Sequence, residues 1–412
     1  MKKSFIFILT LLIVSGIQTI YSCTTAVISG KFTKNGRAML WKVRDTEEYD
    51  NYVKRFAGPN GYFIGLVNSS DPEGNQIWGG HNSKGFAIIN SASFNVNMED
   101  ESEVHDLEGY VMKRALEICS NLQDFEHMLD TLKRPMGLAA HMGVIDALGG
   151  AAFYEVNNYT WTKYDANDPN VAPRGYILRT NYSKTGKKDI GYGYIRMQAA
   201  SHLFDQIPIG KLTTEEMVCH LSRSMYHGLL ETDYRQMAIQ NNAPHFINSD
   251  DLICRFGTSS MILIEGVTKG MDSELTTSWI QVGLPFTSAV IPVWTWQEVP
   301  NILKGSKKDH LSTMGLMASQ LKNLIYPLKT AERERYLRLD LLITPDNNGI
   351  CQKIEQIESP MIAKIEEIET SDKQIPPTKK KGLLSEEVDK YIDQKVIPLY
   401  RSMLSQLNNY ER

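Results

Sequence analysis

The sequence predicts an α+β fold in which β-sheets pack together and helices cover them on the outside. Two blocks of short, β-branched and apolar segments point to sheets, and the stretches that separate and follow them carry helical periodicity. The chain is also large enough for a substantial core, with 412 residues of which 42% are hydrophobic and 22% charged. That balance excludes a disordered, collagen-like or small disulfide-stapled protein. A formal charge of -4 lacks the broad positive field of a general nucleic-acid binder, so no nucleic-acid partner is expected.

The first strand block begins at Thr24. Thr24 to Ser29 is β-branched and apolar, Asn35-Gly36 is a strong two-residue hairpin signal, and Ala38 to Val43 returns as a second strand. Tyr62 to Val67 and Gly85 to Ser91 continue the pattern. Helical spacing then takes over, with Leu107, Val111, Ala115 and Ile118 on one face and Leu122, Phe125, Met128, Leu129 and Leu132 on another. Further strands are expected at His141 to Asp146, Ala151 to Val156, Thr160 to Tyr164 and Tyr176 to Thr180. Helices follow at Arg196 to Phe204 and Thr214 to Met225, then strands at Ser260 to Glu265 and Thr277 to Val282.

Beyond about Trp296 the composition shifts. Leu311 to Ile325 and Glu332 to Leu342 read as helices, and Ile354 to Lys373 is charged. Pro376-Pro377 with Lys379-Lys380-Lys381 marks a linker before an amphipathic helix from Glu386 to Leu407. This tail suits packing or an oligomer surface better than chemistry, and a homo-oligomer is left open.

The N-terminus reads as an address. Lys2 and Lys3 precede the apolar run Phe5 to Val14, broken only by Thr10, and a more polar end leads to Ser22. This is the layout of a secretory signal, too short for a spanning helix, with the best cut between Ser22 and Cys23. An uncleaved anchor is the plainer alternative. If the cut occurs, Cys23 becomes the first residue. From the junction alone, Ile20-Tyr21-Ser22-Cys23 favours a lipobox and a membrane-anchored lipoprotein. The rival is an exported protein with a free N-terminal cysteine, and the downstream residues have to decide. The other cysteines, Cys119, Cys219, Cys254 and Cys351, form no CxxC pair. Cys119 and Cys219 fall on apolar helix faces, where a buried inert thiol is expected.

Amide cleavage needs a nucleophile, a base to activate it and donors for the developing oxyanion. An N-terminal cysteine supplies the first two, because its α-amine, with a reference pKa of about 7.7–8.0, takes the thiol proton near neutral pH. Cys23-Thr24-Thr25-Ala26-Val27, a hairpin, and then Trp41-Lys42-Val43-Arg44-Asp45 resemble the start of N-terminal-nucleophile cysteine hydrolases. The likeness is nearest to the acyl-CoA:6-aminopenicillanate acyltransferase-like branch, related to choloylglycine hydrolases and acid ceramidases. Gly80-His81-Asn82-Ser83-Lys84-Gly85 with Phe86-Ala87-Ile88-Ile89-Asn90, then His141 to Asp146, then Arg179-Thr180-Asn181-Tyr182, follow in the same order.

The resemblance implies a four-layer αββα sandwich over residues 23–296, after a signal peptide at 1–22 and before a mostly helical extension at 297–412. It implies catalytic roles for Cys23 as nucleophile, for Asp45 in orienting its amine and thiol, and for Asn90 and Asn181 at the oxyanion. Arg196 stands near the nucleophile. Lys42 occupies a position where many relatives carry arginine, and it is assigned to substrate binding. Arg44 offers a guanidinium, but on a regular strand it points to the opposite face from Asp45. Taken singly, Asp45, Asn90 and Asn181 also suit turns, and Arg196 an ordinary helix start.

This ordered set reverses the lipoprotein preference, because acylation of the amine would remove the base. The expected activity is hydrolysis of linear amides such as N-acyl amines or N-acyl amino acids, with a small-molecule amide as the substrate. Acyl transfer and a lipid-anchored, non-catalytic binding protein are the alternatives. No HExxH, GxSxG or phosphate-loop motif occurs, so neither a metal nor a cofactor is expected. Tyr62, Phe63, Phe94, Trp294 and Trp296 are candidates for an apolar acyl pocket, although core packing suits each of them.

Overall fold

The computed structural model describes residues 22–329, 333–371 and 376–406. The signal-like segment lies outside the described residues except for Ser22, and so do Glu332 of the expected helix, residues 372–373 of the charged stretch and Leu407 of the last helix. Among the described residues no helix is long and apolar enough to cross a membrane.

Strands β1 (Thr24–Ile28) and β2 (Met39–Asp45) pair antiparallel at the heart of the chain. A seven-stranded meander follows: β3 (Asn51–Gly58), β4 (Gly61–Asn68), β5 (Gly79–Asn82), β6 (Ala87–Ala92), β7 (Ala140–Ile145), β8 (Ala151–Val156) and β9 (Trp161–Asp165). Strand β10 (Tyr176–Arg179) returns to the first sheet. After two small pairings, β11 (Tyr226–His227) with β12 (Thr232–Asp233) and β13 (Phe246–Asn248) with β17 (Tyr336–Arg338), the first sheet is completed by β14 (Thr258–Glu265), β15 (Thr277–Val282) and β16 (Ile291–Val293). Its order is β10-β1-β2-β14-β15-β16.

The two sheets lie face to face, with β1 and β2 against β6 and β7. Every residue of β1 is buried because both faces of that strand are covered, so it reads as a continuous apolar run rather than an alternating one. Gly143 of β7 lets the layers close: a Cβ there would lie 3.0 Å from Val27, Ile89 and Phe153 atoms.

Helices α1 (Glu108–Ile118) and α2 (Leu122–Thr131) cover the outer face of the meander through Val111, Met112, Ala115, Phe125 and Leu129. The Asn121 side chain caps α2 by accepting from the Asp124 amide. Helix α3 (Tyr194–Gln206) and a π-helical turn at Glu216–Leu221 lie on the outer face of the first sheet. The arrangement is thus helix, sheet, sheet, helix.

The C-terminal helices join this core. They follow the short α4 (Tyr234–Ile239) of the core and comprise α5 (Thr313–Ile325), α6 (Leu339–Leu342), α7 (Ile350–Thr370), α8 (Pro377–Tyr391) and α9 (Ile397–Ser405). Ile354, Met361, Ile362 and Ile365 of α7 pack into the same apolar cluster as β1, β2 and β14. Two buried ion pairs fasten α7. Arg223 donates to Glu358 Oε1 at 2.8 Å, with both side chains sealed from solvent, and Arg37 pairs with Glu369. Glu358 also accepts from the Val290 amide at 2.7 Å, so its burial is compensated by hydrogen bonds.

Several expectations change. The β1–β2 connection is not a two-residue hairpin but a longer loop over residues 29–38, in which Asn35 turns inward to donate to Glu265. Residues 336–338 form a strand rather than helix, because the backbone of β13 is there to pair with them. Pro376-Pro377 caps α8 instead of forming a linker, Pro377 having no amide proton to lose at the first helical position. Lys381 lies within that helix and pairs with Asp272.

Burial holds two histidines neutral. His81 reaches from β5 across the layers to Ser278, with Nδ1 2.7 Å from its hydroxyl, and desolvation pushes its pKa down to about 3. His141 is shifted in the same direction by burial. Between the unfolded value near 6.5 and this lower value the unfolded chain binds more protons, so stability falls as pH falls through that window. Lowering the pH from 7.5 to 4 is expected to cost roughly 3 kcal/mol through His81 alone. Urea unfolding at the two pH values should therefore give a smaller loss for His81→Gln than for the parent; equal losses would contradict the assignment.

Candidate active site

Cys23 lies at the start of β1, where the sheet ends and both neighbouring strands deliver polar side chains. Thr24 faces Val43 and Thr25 faces Lys42, so the same register carried back one residue sets Cys23 beside Arg44. On the other flank Thr25 faces Arg179, which brings the residues after β10 to the same edge. The Cys23 thiol is buried and points at the Asp45 carbonyl oxygen, 3.9 Å away.

Arg196, the third residue of α3, holds this edge from the helical side. Its Nη1 donates to the Cys23 carbonyl and to the Thr24 hydroxyl, each at 2.8 Å, and its Nη2 donates to Asn181 Oδ1 at 3.0 Å. Gly193 has φ +87°, and a Cβ there would come within 2.4 Å of Arg196 Nη2, so only glycine leaves room for the guanidinium. Asn181 in turn donates from Nδ2 to the Ala92 carbonyl at 2.8 Å, tying the end of β10 to the end of β6 across the layers.

Asp45 ends β2 at a β-bulge, because Thr258 faces Asp45 while Ser260 already faces Arg44. The extra residue swings Thr258 onto the carboxylate. Thr258 donates to Asp45 Oδ1 at 2.6 Å and Arg255 Nε donates to Oδ2 at 2.8 Å. Arg255 also donates from Nη2 to the Ser22 carbonyl, 3.3 Å away, which is the peptide group preceding Cys23.

On the interlayer side Lys42 Nζ donates to Asn90 Oδ1 at 2.7 Å and to the Trp78 carbonyl at 2.8 Å. Burial drives the Lys42 pKa down to about 7, opposed by the Cys23 charge and reinforced by Arg44. Arg44 is lowered to about 10, again by burial first. Its guanidinium lies over the Trp78 indole, 4.9 Å from the ring centroid, and donates to Asn51 Oδ1 at 2.9 Å.

Cys23, Lys42, Asp45, Asn90, Asn181 and Arg196 therefore lie in one cluster. The orientations add detail that the sequence lacks. The Asp45 carboxylate is engaged by Thr258 and Arg255, and its backbone carbonyl is what meets the thiol. Asn181 already spends an amide hydrogen on Ala92. Arg255, Thr258 and Trp78 were missed; each looks like an ordinary loop or strand-entry residue, and only the bulge and the layer packing give them a role.

Of the aromatic candidates, Phe94 alone approaches the cluster. It packs edge-on against Tyr192, and its amide donates to the Asn181 carbonyl. Tyr62 stacks on Arg55, Phe63 on Phe56, and Trp294 on Trp296. A surface cavity of about 890 Å³ is lined by Asn95 to Ser102 and neighbouring loops and includes none of the cluster residues. All five cysteines are unpaired, and burial raises the Cys119 pKa to about 12. No group of three metal-ligating side chains occurs among the described residues.

Asp45 is almost fully buried while Arg255 is partly open, so removing the arginine leaves a buried carboxylate short of a donor. Urea unfolding of Arg255→Met, Asp45→Asn and the double variant should reveal a coupling of about 1–3 kcal/mol. Additive effects would mean the pair is not formed.

No family model matches the chain, and no curated protein matches it. Solved structures similar to it include a penicillin V acylase from Agrobacterium tumefaciens, at 15% identity and a TM-score of 0.36, covering 67% of this chain and 87% of that one. A conjugated bile acid hydrolase from Clostridium perfringens is similar at 12% identity and a TM-score of 0.38, covering 67% and 94%. A penicillin G acylase from Alcaligenes faecalis is similar at 12% identity and a TM-score of 0.34, covering 47% and 51%.

Proposed function

We propose that the chain is an exported amidase that cleaves linear amides with the thiol of Cys23, freed as the N-terminal residue by removal of residues 1–22. The observation that carries this reading is the setting of Cys23. Its carbonyl is anchored by Arg196, its thiol is flanked by Lys42 and Arg44, and a buried carboxylate stands one residue beyond them. At the other cysteines burial prevails and pushes Cys119, Cys219, Cys254 and Cys351 away from the thiolate, the cations near them opposing it only in part.

In the full chain the Cys23 nitrogen is an amide bonded to Ser22 and cannot serve as a base. Cleavage turns it into an amine next to the thiol. The amine takes the thiol proton as sulfur attacks the acyl carbon, and the developing oxyanion is met by donors drawn from Asn90, Asn181 and Lys42. Asn90 is suited to this because Lys42 holds its Oδ1 and so fixes the side-chain amide. Collapse of the intermediate breaks the C–N bond, and the leaving nitrogen carries off the proton as a free amine. Water then attacks the thioester, releasing the acid and restoring the thiol. Acyl transfer differs only in that an amine takes the place of water.

Asp45, fixed by Thr258 and Arg255, is assigned to orienting the new amine. Arg196 is a positioning residue: it holds the Cys23 carbonyl and Asn181 at once, so the nucleophile and the oxyanion donor keep their spacing.

The test is steady-state hydrolysis of a panel of N-acyl amines and N-acyl amino acids by the processed protein and by Cys23→Ala. The variant should lose at least about 10³-fold in kcat with an unchanged circular dichroism spectrum. Turnover at the parent rate would refute the assignment.

A further inference from the structure

We propose that His141 is a positioning residue for the oxyanion donors: with its ring proton on Nε2, it links the strand that carries Asn90 to the segment that carries Asn181. The inference rests on the reading of Cys23 as nucleophile and goes beyond it, since nothing in that reading calls for a histidine.

His141 stands on β7 directly across from Ser91 of β6 and Glu155 of β8, so the three side chains share one face of the sheet. Its ring is fully buried and sits inside a chain of buried hydroxyls. Thr25 of β1 donates to the Arg179 carbonyl at 3.0 Å and lies 3.3 Å from the Ser91 hydroxyl. The Ser91 hydroxyl is 3.0 Å from His141 Nδ1, and the Ser183 hydroxyl is 2.9 Å from Nε2. Ser183 then meets the Ser93 hydroxyl at 2.7 Å, and Ser93 meets Asn95 Oδ1 at 3.0 Å. Ser91 is the residue after Asn90, and Ser183 comes shortly after Asn181.

Counting protons fixes the direction of the chain. Asn95 Nδ2 donates to the Ser183 and Lys187 carbonyls, 2.9 and 3.0 Å away, so its Oδ1 can only accept, as it also does from the Ser183 amide at 2.7 Å. The Arg179 carbonyl at the far end can only accept as well. Thr25, Ser91, Ser93, Ser183 and neutral His141 each have one side-chain proton to give, one fewer than the contacts that join them to each other and to the two ends. The contact left without a proton is the longest, Thr25 to Ser91 at 3.3 Å. Ser93 then donates to Asn95 and Ser183 donates to Ser93, so Ser183 must accept from His141 Nε2–H. Nδ1 is bare and accepts from Ser91. Burial, with Arg179 beside it, keeps the ring from taking a second proton against the pull of Glu155 and of the Tyr182 and Thr180 carbonyls. Glu155 is itself engaged by Arg179 Nε and by the Lys184 and Thr185 amides.

An apolar side chain at position 141 would leave Ser91 without its acceptor and Ser183 without its donor, and both segments would be free to shift. A displaced oxyanion donor weakens the transition state while leaving substrate binding and the thiol as they were.

The test compares amide turnover with alkylation of Cys23 in the processed protein. Iodoacetamide forms an S–CH₂ bond and expels iodide without building an oxyanion, so its rate reports the nucleophile alone. His141→Leu should lower kcat at least about 10-fold, keep KM within about 2-fold and leave the alkylation rate unchanged. His141→Gln, whose amide still offers a donor towards Ser183, should recover part of kcat. An unchanged kcat in His141→Leu, or a loss matched by an equal loss in alkylation, would overturn the role. A parent that turns over no amide would remove the amidase reading, whereas an active parent indifferent to His141→Leu would remove only this role. Nitrogen-15 NMR of the histidine-labelled parent needs no variant, the ring being assigned through its contact with Phe153. Nε2 should carry the proton, Nδ1 should be bare, and neither should titrate between about pH 8 and pH 5. A proton on Nδ1, or a titration in that range, would overturn the chain and the role with it.

Discussion

The pairing of β1 with β2 on one flank and β10 on the other is the constraint on which the rest depends. A strand with two partners has its register set twice, and both registers converge on its first residues. That placement alone brings the Cys23 edge to Arg44 and Asp45 on one side and to Asn181 on the other, from positions far apart in the sequence. A one-residue slip would turn Cys23, Thr25 and Val27 away from the second sheet and break both sets of contacts. The apolar residues of β1 hold the register: Ala26, Val27 and Ile28 are fully buried, so a slip would also expose or overpack the core.

Around that edge the protein has made an unusual electrostatic choice. Lys42, Arg44, Arg196 and Arg255 surround one thiol and one carboxylate, and burial lowers the first three. Elsewhere in the interior, buried cations are matched directly, Arg223 by Glu358, Arg37 by Glu369 and Arg179 by Glu155. Those pairs fasten elements together. Beside Cys23 only Arg255 has such a match, in Asp45; Lys42 and Arg44 hold the neutral groups Asn90, the Trp78 carbonyl and Asn51 instead, which leaves their charge to act on the thiol.

Much of the layering was legible because burial on one or both faces writes itself into residue periodicity. Strands β7 and β8 and helices α1 and α2 could be read before any coordinates. Arg255 could not, since its partner Asp45 is more than two hundred residues away and no local pattern marks a loop arginine that turns back to a strand end. The Thr258 bulge was hidden for a similar reason: one extra residue in β14 leaves the apolar alternation almost unchanged. The strand at 336–338 and the capping role of Pro377 were misread because local composition favoured helix and linker, while a distant backbone and a helix start decided otherwise. The face of Arg44 did follow from simple alternation along β2, though not its contacts with Asn51 and Trp78.

The most direct test of this account is intact-mass analysis of the protein, quenched in acid during turnover of an N-acyl substrate. The account requires a chain beginning at Cys23 that carries one acyl group, lost on treatment with hydroxylamine as a thioester is, and mapping to the Cys23 peptide. A functional chain that retains residues ahead of Cys23, a terminus blocked by a diacylglyceryl group, or turnover with the acyl group on a different residue would contradict it.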